Sequence, residues 1–466
     1  MTFNILINLI FAHFALALRN AETESSLASD TWADEVRHAM KFVWNNYKSK
    51  AWGADEIRPV SGTSKSNWGG HGFSIVDSLS TLYLMGLKQE FKEGVEWVGE
   101  NLHFGDGHPR GQQSFFETTI RMLGGLVSAY DLSGEPKLLE KAKQLGDVLL
   151  HAFPANSVPD TRIDLGNGAA SGSEGSCLAE AGSMQLEFRA LSRISNDPKY
   201  ANHADAAQSK LLEAVGEQGI SGYLISNGQT WSTRKVGAGA DSFYEYLLKA
   251  WIQSGGKYDQ SKQAWIRFAE KLPDLMKTTK GGLMFVTEGN GLDRMEHLTC
   301  FVGGNLILAE MVLGDEASKY GKWGRSLTHT CQETYTRSAS GLGPEGVNFI
   351  LDGEEGKDIQ EGSQGYLLRP EVVESVYYAH YQTGDPAYRK WGKSFLDSLN
   401  KHAKTNFGYS SVREANVESP PLSDSEETFF MAETLKYLYL LFSPKSTLDL
   451  NKWVLNTEAH PLRVHH

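Results

Sequence analysis

Apolar residues along this chain recur with the spacing of helices, and the helices are of two kinds. One kind is apolar nearly all round, as in FFETTIRMLGGLVSAY from Phe115 and FFMAETLKYLYLLF from Phe429. The other is amphipathic and lysine-rich, as in KLLEKAKQLGDVLL from Lys137. A helix apolar on every side is buried, whereas one with a single apolar stripe faces solvent. A recurring turn separates the two kinds: SGEPKL from Ser133, SNDPKY from Ser195, SGGKYD from Ser254, LGDEASKY from Leu313 and TGDPAY from Thr383. Its marker residues Gly134, Asn196, Gly255, Gly314 and Gly384 lie 62, 59, 59 and 70 residues apart, a period that fits a helical hairpin plus a loop. The pattern predicts seven buried helices, near Asp77, Glu117, Glu180, Asp241, His297, Glu371 and Glu433. It predicts seven outer ones, near 32–48, 90–101, 137–150, 199–215, 258–277, 317–336 and 387–401. The first outer helix has no inner partner before it, and the last inner helix has none after it. Closing the array pairs them, so the expected fold is all-α, a closed (α/α)7 barrel of seven helical hairpins with short β-hairpins in the loops.

The longer connections are 154–178, 278–296, 338–368 and 404–428, and the second contains a strand-like run, Leu283 to Thr287. Long loops in a compact domain tend to be functional. Ahead of the helices, Ile5 to Leu18 is an apolar run broken only by Asn8 and His13. At fourteen residues it falls short of a membrane span. Small residues at Ala15 and Ala17 suit a signal-peptidase site. The organisation expected is a signal peptide or short N-terminal anchor over 1–18, a linker over 19–32, the barrel over 33–461 and a tail over 462–466. No later stretch is expected to span a membrane, so membrane attachment requires an uncleaved N-terminal segment.

Composition narrows the function. With 45 basic and 57 acidic side chains the net charge is −12, against a nucleic-acid binder. Three cysteines without a CxxC form neither a disulfide scaffold nor a zinc pattern. No Asn-x-Ser/Thr triplet occurs. GLGPEG from Gly341 matches GxGxxG by spacing only, since no apolar strand precedes it and Pro344 interrupts it.

The chemistry lies at the starts of the inner helices. Six carry a carboxylate there, namely Asp77, Glu117, Glu180, Asp241, Glu371 and Glu433, and the seventh has His297. One such acid is ordinary, because the helix dipole stabilises it by roughly 0.3–1 kcal/mol. Parallel inner helices bring all six to one end of the barrel, where they repel one another unless the cluster has a use. Glu245 and Glu374 fall one turn beyond Asp241 and Glu371, on the same helix faces. Such a well suits glycoside hydrolysis by a carboxyl pair, and equally a hard cation held by oxygen.

The chain resembles the class I α-1,2-mannosidases, glycoside hydrolase family 47, from about Ala33 to Pro461. The segments that carry the resemblance include IVDSLSTLYLMGL from Ile75, FFETTIRMLGGLVSAYDLSG from Phe115 and LAEAGSMQLEFRALSR from Leu178. They continue through GAGADSFYEYLLKAW from Gly237, HLTCFVGG from His297, GLGPE from Gly341 and YLLRPEVVES from Tyr366 to NTEAHP from Asn456. The resemblance implies a seven-hairpin barrel and an inverting exo-hydrolysis of terminal α-1,2-linked mannose from high-mannose N-glycans. It implies Glu117 as general acid through a water, Asp241 as a second essential acid, and Glu371 as the general base. Thr457 resembles the one direct protein ligand of a Ca²⁺, whose waters are held by Glu374, Glu433 and Glu458. Arg121, Arg369, His297 and Phe429 match positions lining the mannose subsite. It further implies a disulfide between Cys300 and Cys331, with Cys177 free, and a monomer in the secretory-pathway lumen or outside the cell. Gly239 stands where a large Arg accompanies removal of one mannose, so broad trimming from nine mannoses to five is expected, as in Golgi-type and fungal secreted members. The glycine is expected to leave volume for other branches, with Gly237 able to meet the turn requirement alone.

Two positions depart from the family pattern: Ser80 replaces the usual Asp of VDSLDT, and His71 stands where an apolar residue is usual. The alternative of another class is a mannose-binding, lectin-like quality-control protein of the same fold with little hydrolysis. Proteins of that kind usually lack the cysteine pair and carry tails beyond the barrel.

Overall fold

A computed structural model describes residues 31–154, 158–172 and 175–465, so the expected signal peptide and most of the linker lie outside the described residues. The chain runs as alternating outer and inner helices. The outer ones are 31–50, Lys88–Asn101, Pro136–Leu149, Lys199–Val215, Asp259–Lys271, Ser318–Thr336 and Pro386–His402. The inner ones are centred on Phe73–Leu84, Gly124–Ser133, Gln185–Ser195, Asp241–Gln253, Phe301–Leu313, Glu371–Thr383 and Leu435–Phe442. Each inner helix packs on the next, and the seventh returns to the first through Phe430–Thr434. The first outer helix closes the ring against the last inner one: Trp32 meets Phe442 edge-on at 5.5 Å, and Arg37 donates to Tyr439 at 3.1 Å. The expected barrel of seven hairpins is the observed fold.

The recurring turn has a backbone cause. All five marker residues hold positive φ, from 53° at Asn196 to 76° at Gly134. This is the left-handed region in which a helix reverses and which glycine and asparagine tolerate best. The sequence reading overran at 258–277, because the helix stops at Lys271. Pro273 then sits in a short 3₁₀ turn, Leu272–Asp274, before the strand Met276–Thr278.

The inner helices are less regular than their periodicity implies. The second contains a π segment, Thr118–Leu123, and the seventh another, Phe430–Thr434. The third breaks at Ser183 and Met184, between Leu178–Gly182 and Gln185–Ser195. Both π segments turn a carbonyl towards a side chain: Ile120 accepts from Asn456 at 3.0 Å, and Ala432 from Thr81 at 3.2 Å. Such segments concentrate at functional sites.

Three small antiparallel sheets deliver the chain to the starts of inner helices. Strand Gln112–Ser114 leads into Phe115, Ser176–Cys177 into Leu178, and Arg294–Glu296 into His297. A hairpin of Trp453–Leu455 with Pro461–Arg463 plugs the barrel from the other end: the Pro461 carbonyl accepts from Ser128 of the second inner helix, and the His465 amide donates to the Gln253 carbonyl at the end of the fourth. Leu462, within the stretch assigned to a tail, is fully buried in this hairpin.

Among the described residues, one stretch is apolar and long enough to cross a membrane, His297–Thr336. It is the fifth hairpin, and its inner helix is buried in the ring. The disulfide Cys300–Cys331 ties the two helices of that hairpin, and Cys177 is a half-buried free thiol. The cross-link spans 31 residues, which by chain entropy is worth about 3–4 kcal/mol. Reduction is expected to lower the midpoint of chemical unfolding accordingly, and alkylation under non-reducing denaturing conditions should mark Cys177 alone.

Candidate active site

The floor of the barrel is the turn 456–460 of the plugging hairpin. Asn456, Glu458, Ala459 and His460 are all buried there. A buried turn must satisfy its own backbone. Asn456 Oδ1 accepts from the Glu458 and His460 amides at 3.0 and 2.7 Å, while Nδ2 donates to Glu187 Oε1 at 2.7 Å. Lys436 Nζ donates to the Ala459 carbonyl at 2.6 Å. The Thr457 amide donates to the Tyr246 hydroxyl at 3.3 Å, and that hydroxyl donates to Glu187 at 2.6 Å. Thr457 is thus fixed through its backbone nitrogen.

Ser80 acts in this floor through His460. The imidazole Nε2 meets Asp77 Oδ1 at 3.0 Å, and Nδ1 meets Ser80 Oγ at 3.0 Å. Burial pushes His460 down to about 4, so the ring is neutral at physiological pH. A carboxylate only accepts, so the ring proton sits on Nε2, and Nδ1 accepts from the Ser80 hydroxyl. An ionised Asp at position 80 would have no proton to give; Ser80 completes this chain. His71 is resolved in the same way: it is buried, tilts against Phe104 at 6.4 Å, and burial lowers its pKa, so it packs as a neutral ring.

The walls carry the charged groups. The Ser114 hydroxyl caps the helix start, accepting the Glu117 amide at 3.2 Å. Arg121, four residues on, donates to Glu117 at 2.7 Å, to Glu458 at 2.7 Å and to Thr428 at 3.1 Å. Arg369 donates to Glu345 at 2.6 Å. The Phe429 ring lies 5.5 Å from the Arg121 guanidinium and 6.0 Å from that of Arg369, an apolar face flanked by two cations. Glu371 opens its helix and accepts from His297 Nδ1 at 2.9 Å. Glu374, one turn along, lies 3.6 Å from Lys249, which also pairs with Glu245. Asp241 opens the fourth inner helix.

The expectation for Gly239 is corrected by the backbone. Gly239 has φ +85°, whereas Gly237 is not among the positive-φ residues, so Gly239 itself meets the turn requirement. A Cβ there would lie 2.9 Å from the Tyr223 ring, so that ring, rather than open volume, occupies the space beside it.

The cluster drives its acids apart. Burial, then the charges of Glu245, Glu371 and Glu296, push Asp241 up to about 7. Burial also raises Glu371, but the hydrogen bond from His297 and the Arg369 guanidinium bring it below the usual carboxylate range. Burial raises Glu374 to about 8 against the pull of Lys249, and raises Glu433 and Glu458 well above the ordinary range. A protonated acid and an ionised base lining one well are the equipment of acid–base displacement at an acetal carbon.

The sequence of this chain matches the profile of glycosyl hydrolase family 47 over residues 39–464. The chain belongs to glycosyl hydrolase family 47. It is 40% identical to mannosyl-oligosaccharide 1,2-alpha-mannosidase IA of Sus scrofa over 92% of this chain and 67% of that protein. It is 38% identical to a mannosyl-oligosaccharide 1,2-alpha-mannosidase of Arabidopsis thaliana, over 92% of this chain and 78% of that one. Among solved structures it superposes on the alpha-1,2-mannosidase of Trichoderma reesei with a TM-score of 0.87 at 31% identity, covering 94% of this chain and 99% of that one. A sugar epimerase from a ruminal bacterium, 12% identical with a TM-score of 0.55, shares the fold alone.

Within this family 47 chain the structure brings Glu117, Arg121, Glu458 and Thr428 into one network and His297 and Glu371 into another, with the Phe429 ring between the two arginines. Among the described residues, no three His, Cys, Asp or Glu side chains meet in metal-holding geometry. A carboxylate cage is therefore not what the floor offers. It holds Thr457, a residue with a hydroxyl and a carbonyl oxygen, next in the turn to the buried Glu458, whose pKa burial raises. That donor set fits a hard cation reached largely through water.

Sequence reasoning missed Glu187, Lys436 and His460. Lys436 was visible as the one cation in the apolar run LKYLYLLF, and it is fully buried. Glu187 was hidden by the break at Ser183 and Met184, which removes the helical phase linking it to Glu180.

The split acids set a pH profile. With Glu371 as base, activity is expected to be lost as pH falls through its pKa, below the usual glutamate value. A donor must be protonated, so with Asp241 supplying the proton, activity is lost as pH rises through about 7. Measured kcat/KM against pH is expected to be bell-shaped with its alkaline limb near that value.

Proposed function

We propose that this chain is a calcium-dependent, inverting mannosyl-oligosaccharide 1,2-α-mannosidase that removes terminal α-1,2-linked mannose from high-mannose N-glycans in the secretory pathway. The observation that carries the mechanism is the opposed state of Glu371 and Asp241 at the starts of two inner helices of one barrel. The mannosidase names of relatives at 38–40% identity support the substrate.

In this reading Glu371 takes a proton from a water whose oxygen forms the new bond at the anomeric carbon. The glycosidic bond breaks on the opposite face, and its oxygen leaves with a proton from Asp241, or from Glu117 through a water. Attack from the face opposite the leaving group inverts the anomeric centre. Phe429 offers its ring to the sugar, and Arg121 and Arg369 hold the flanking carboxylates while offering donors to hydroxyls. Thr457 would hold Ca²⁺ with both its oxygens, and Glu374, Glu433 and Glu458 would hold its waters. When bound, the ion supplies ligation of sugar hydroxyls and charge compensation for the buried acids. The reading includes trimming from nine mannoses towards five.

Incubation with a nine-mannose glycan, followed by mass, is expected to yield stepwise loss down to five mannoses and no loss after chelation. Binding without product in the presence of calcium would favour the lectin-like alternative. Glu371→Gln keeps the shape but cannot accept the proton, and should lower kcat at least about 100-fold with little change in glycan affinity. Excess chelator should also lower the melting temperature, because a ligand of the native state alone stabilises it by mass action. Elemental analysis should return one calcium per chain.

A further inference from the structure

Behind the general base, an outer helix reaches into the site. His297 spans two groups: Nδ1 meets Glu371 Oε2 at 2.9 Å, and Nε2 meets the Tyr335 hydroxyl at 2.7 Å. Tyr335 lies on the outer helix Ser318–Thr336 and is 2% exposed. Its ring is boxed by Tyr366, Trp391 and Phe395, at centroid distances of 5.9, 5.4 and 5.1 Å. Packing therefore fixes where the phenol oxygen stands.

We propose that Tyr335 is the positioning residue of the general base: its hydroxyl holds His297 in the tautomer that donates to Glu371, and the Cys300–Cys331 disulfide keeps the two helix turns carrying His297 and Tyr335 in register. This rests on the mannosidase reading with Glu371 as base.

The argument for the tautomer is one of donors and acceptors. The Glu371 carboxylate can only accept, so Nδ1 carries the proton. In the neutral imidazole Nε2 is then a bare acceptor, and it is buried. In this arrangement the Tyr335 hydroxyl, which also meets the Tyr366 hydroxyl, turns its hydrogen to Nε2. Without that hydroxyl the proton can move to Nε2, and the Nδ1 lone pair then faces the carboxylate. That arrangement favours the protonated acid and disarms the base. Orientation of a catalytic imidazole by a third group follows the same logic in other hydrolases.

The cross-link lies beside this contact in both helices. Cys300 closes the 3₁₀ turn His297–Cys300, and Cys331 precedes Tyr335 by four residues, one helical turn. Just beyond, the two helices approach closely: a Cβ on Gly303 would lie 2.6 Å from Thr328 Oγ1, and one on Gly324 would lie 2.6 Å from the Gly303 carbonyl. The disulfide and the glycine contact thus hold His297 and Tyr335 face to face.

Other groups also act on Glu371. Arg369 and Glu374 belong to its own segment, Asp241 faces it from the fourth inner helix and Glu433 from the seventh. Tyr366 faces it from the preceding loop. Of these only Arg369 favours ionisation by charge, so the hydrogen bond from His297 is the contact that both aims the carboxylate and keeps it ionised.

Tyr335→Phe keeps the ring and removes the hydroxyl. With wild-type enzyme active on the nine-mannose glycan, the variant is expected to lose about 10- to 100-fold in kcat with KM nearly unchanged, and its acid limb should move to higher pH. Cys300→Ser with Cys331→Ser should shift the acid limb in the same direction by less. An unmoved acid limb in folded Tyr335→Phe, whatever its kcat, would overturn the proposal, because a purely structural role lowers activity without changing the base. Wild-type inactivity would instead refute the mannosidase reading. Should Tyr335→Phe fail to fold, ¹⁵N-histidine spectra of the wild-type protein decide: the His297 signal, assigned by its loss in His297→Gln, is expected to show the proton on Nδ1, and a proton on Nε2 would overturn the proposal.

Discussion

The constraint on which this protein turns is that a closed ring of parallel inner helices brings their acidic N-termini together in the buried interior of a barrel. Buried carboxylates that close cannot all stay ionised without compensation. Three devices provide it. Cations are set among them: Arg121 touches Glu117 and Glu458, Arg369 touches Glu345, and Lys249 bridges Glu245 and Glu374. Imidazole hydrogen bonds, from His460 to Asp77 and from His297 to Glu371, hold particular carboxylate oxygens in place. On the rest burial favours the protonated form, pushing Asp241 and Glu187 up to about 7 and Glu374 to about 8. The chemistry is a by-product of how unevenly these devices are distributed, since Glu371 receives a hydrogen bond and a nearby cation, and Asp241 receives neighbouring anions.

The plug shapes the same economy from below. A barrel of seven hairpins leaves an axial hole, and the hairpin Trp453–Leu455 with Pro461–Arg463 fills it from one end. Its turn brings an asparagine that satisfies four backbone or side-chain groups, and so it can be buried without loss. Thr457 is presented to the acids by that turn rather than by a helix. Lys436, wholly buried and pushed down to about 7 by desolvation, caps the Ala459 carbonyl beneath it.

How far this was legible in the sequence depends on the scale at which the determining force acts. Helix periodicity and the left-handed turn residues are local, so the hairpin count and ring closure could be read directly. The acids at the helix starts were legible because parallel helices turn a local pattern into a spatial one. The π segments at Thr118–Leu123 and Phe430–Thr434 were not, since they arise from contacts such as Asn456 with Ile120, more than three hundred residues apart. Gly239 misled for a related reason: only the fold shows that Tyr223 occupies the space beside it. Ser80 read as a missing carboxylate, and only its pairing with neutral His460 reveals a hydroxyl with a donor's task.

The central claim is that one buried cluster holds Glu371 ionised while keeping Asp241 protonated. Carboxyl-selective ¹³C labelling of aspartate and glutamate, with Asp241→Asn and Glu371→Gln used to assign the two signals, measures this directly in the resting protein. Titration is expected to show the Asp241 carboxyl changing state near 7 and Glu371 remaining ionised to below the usual glutamate range. Two carboxyls that titrate together in the ordinary range would contradict it.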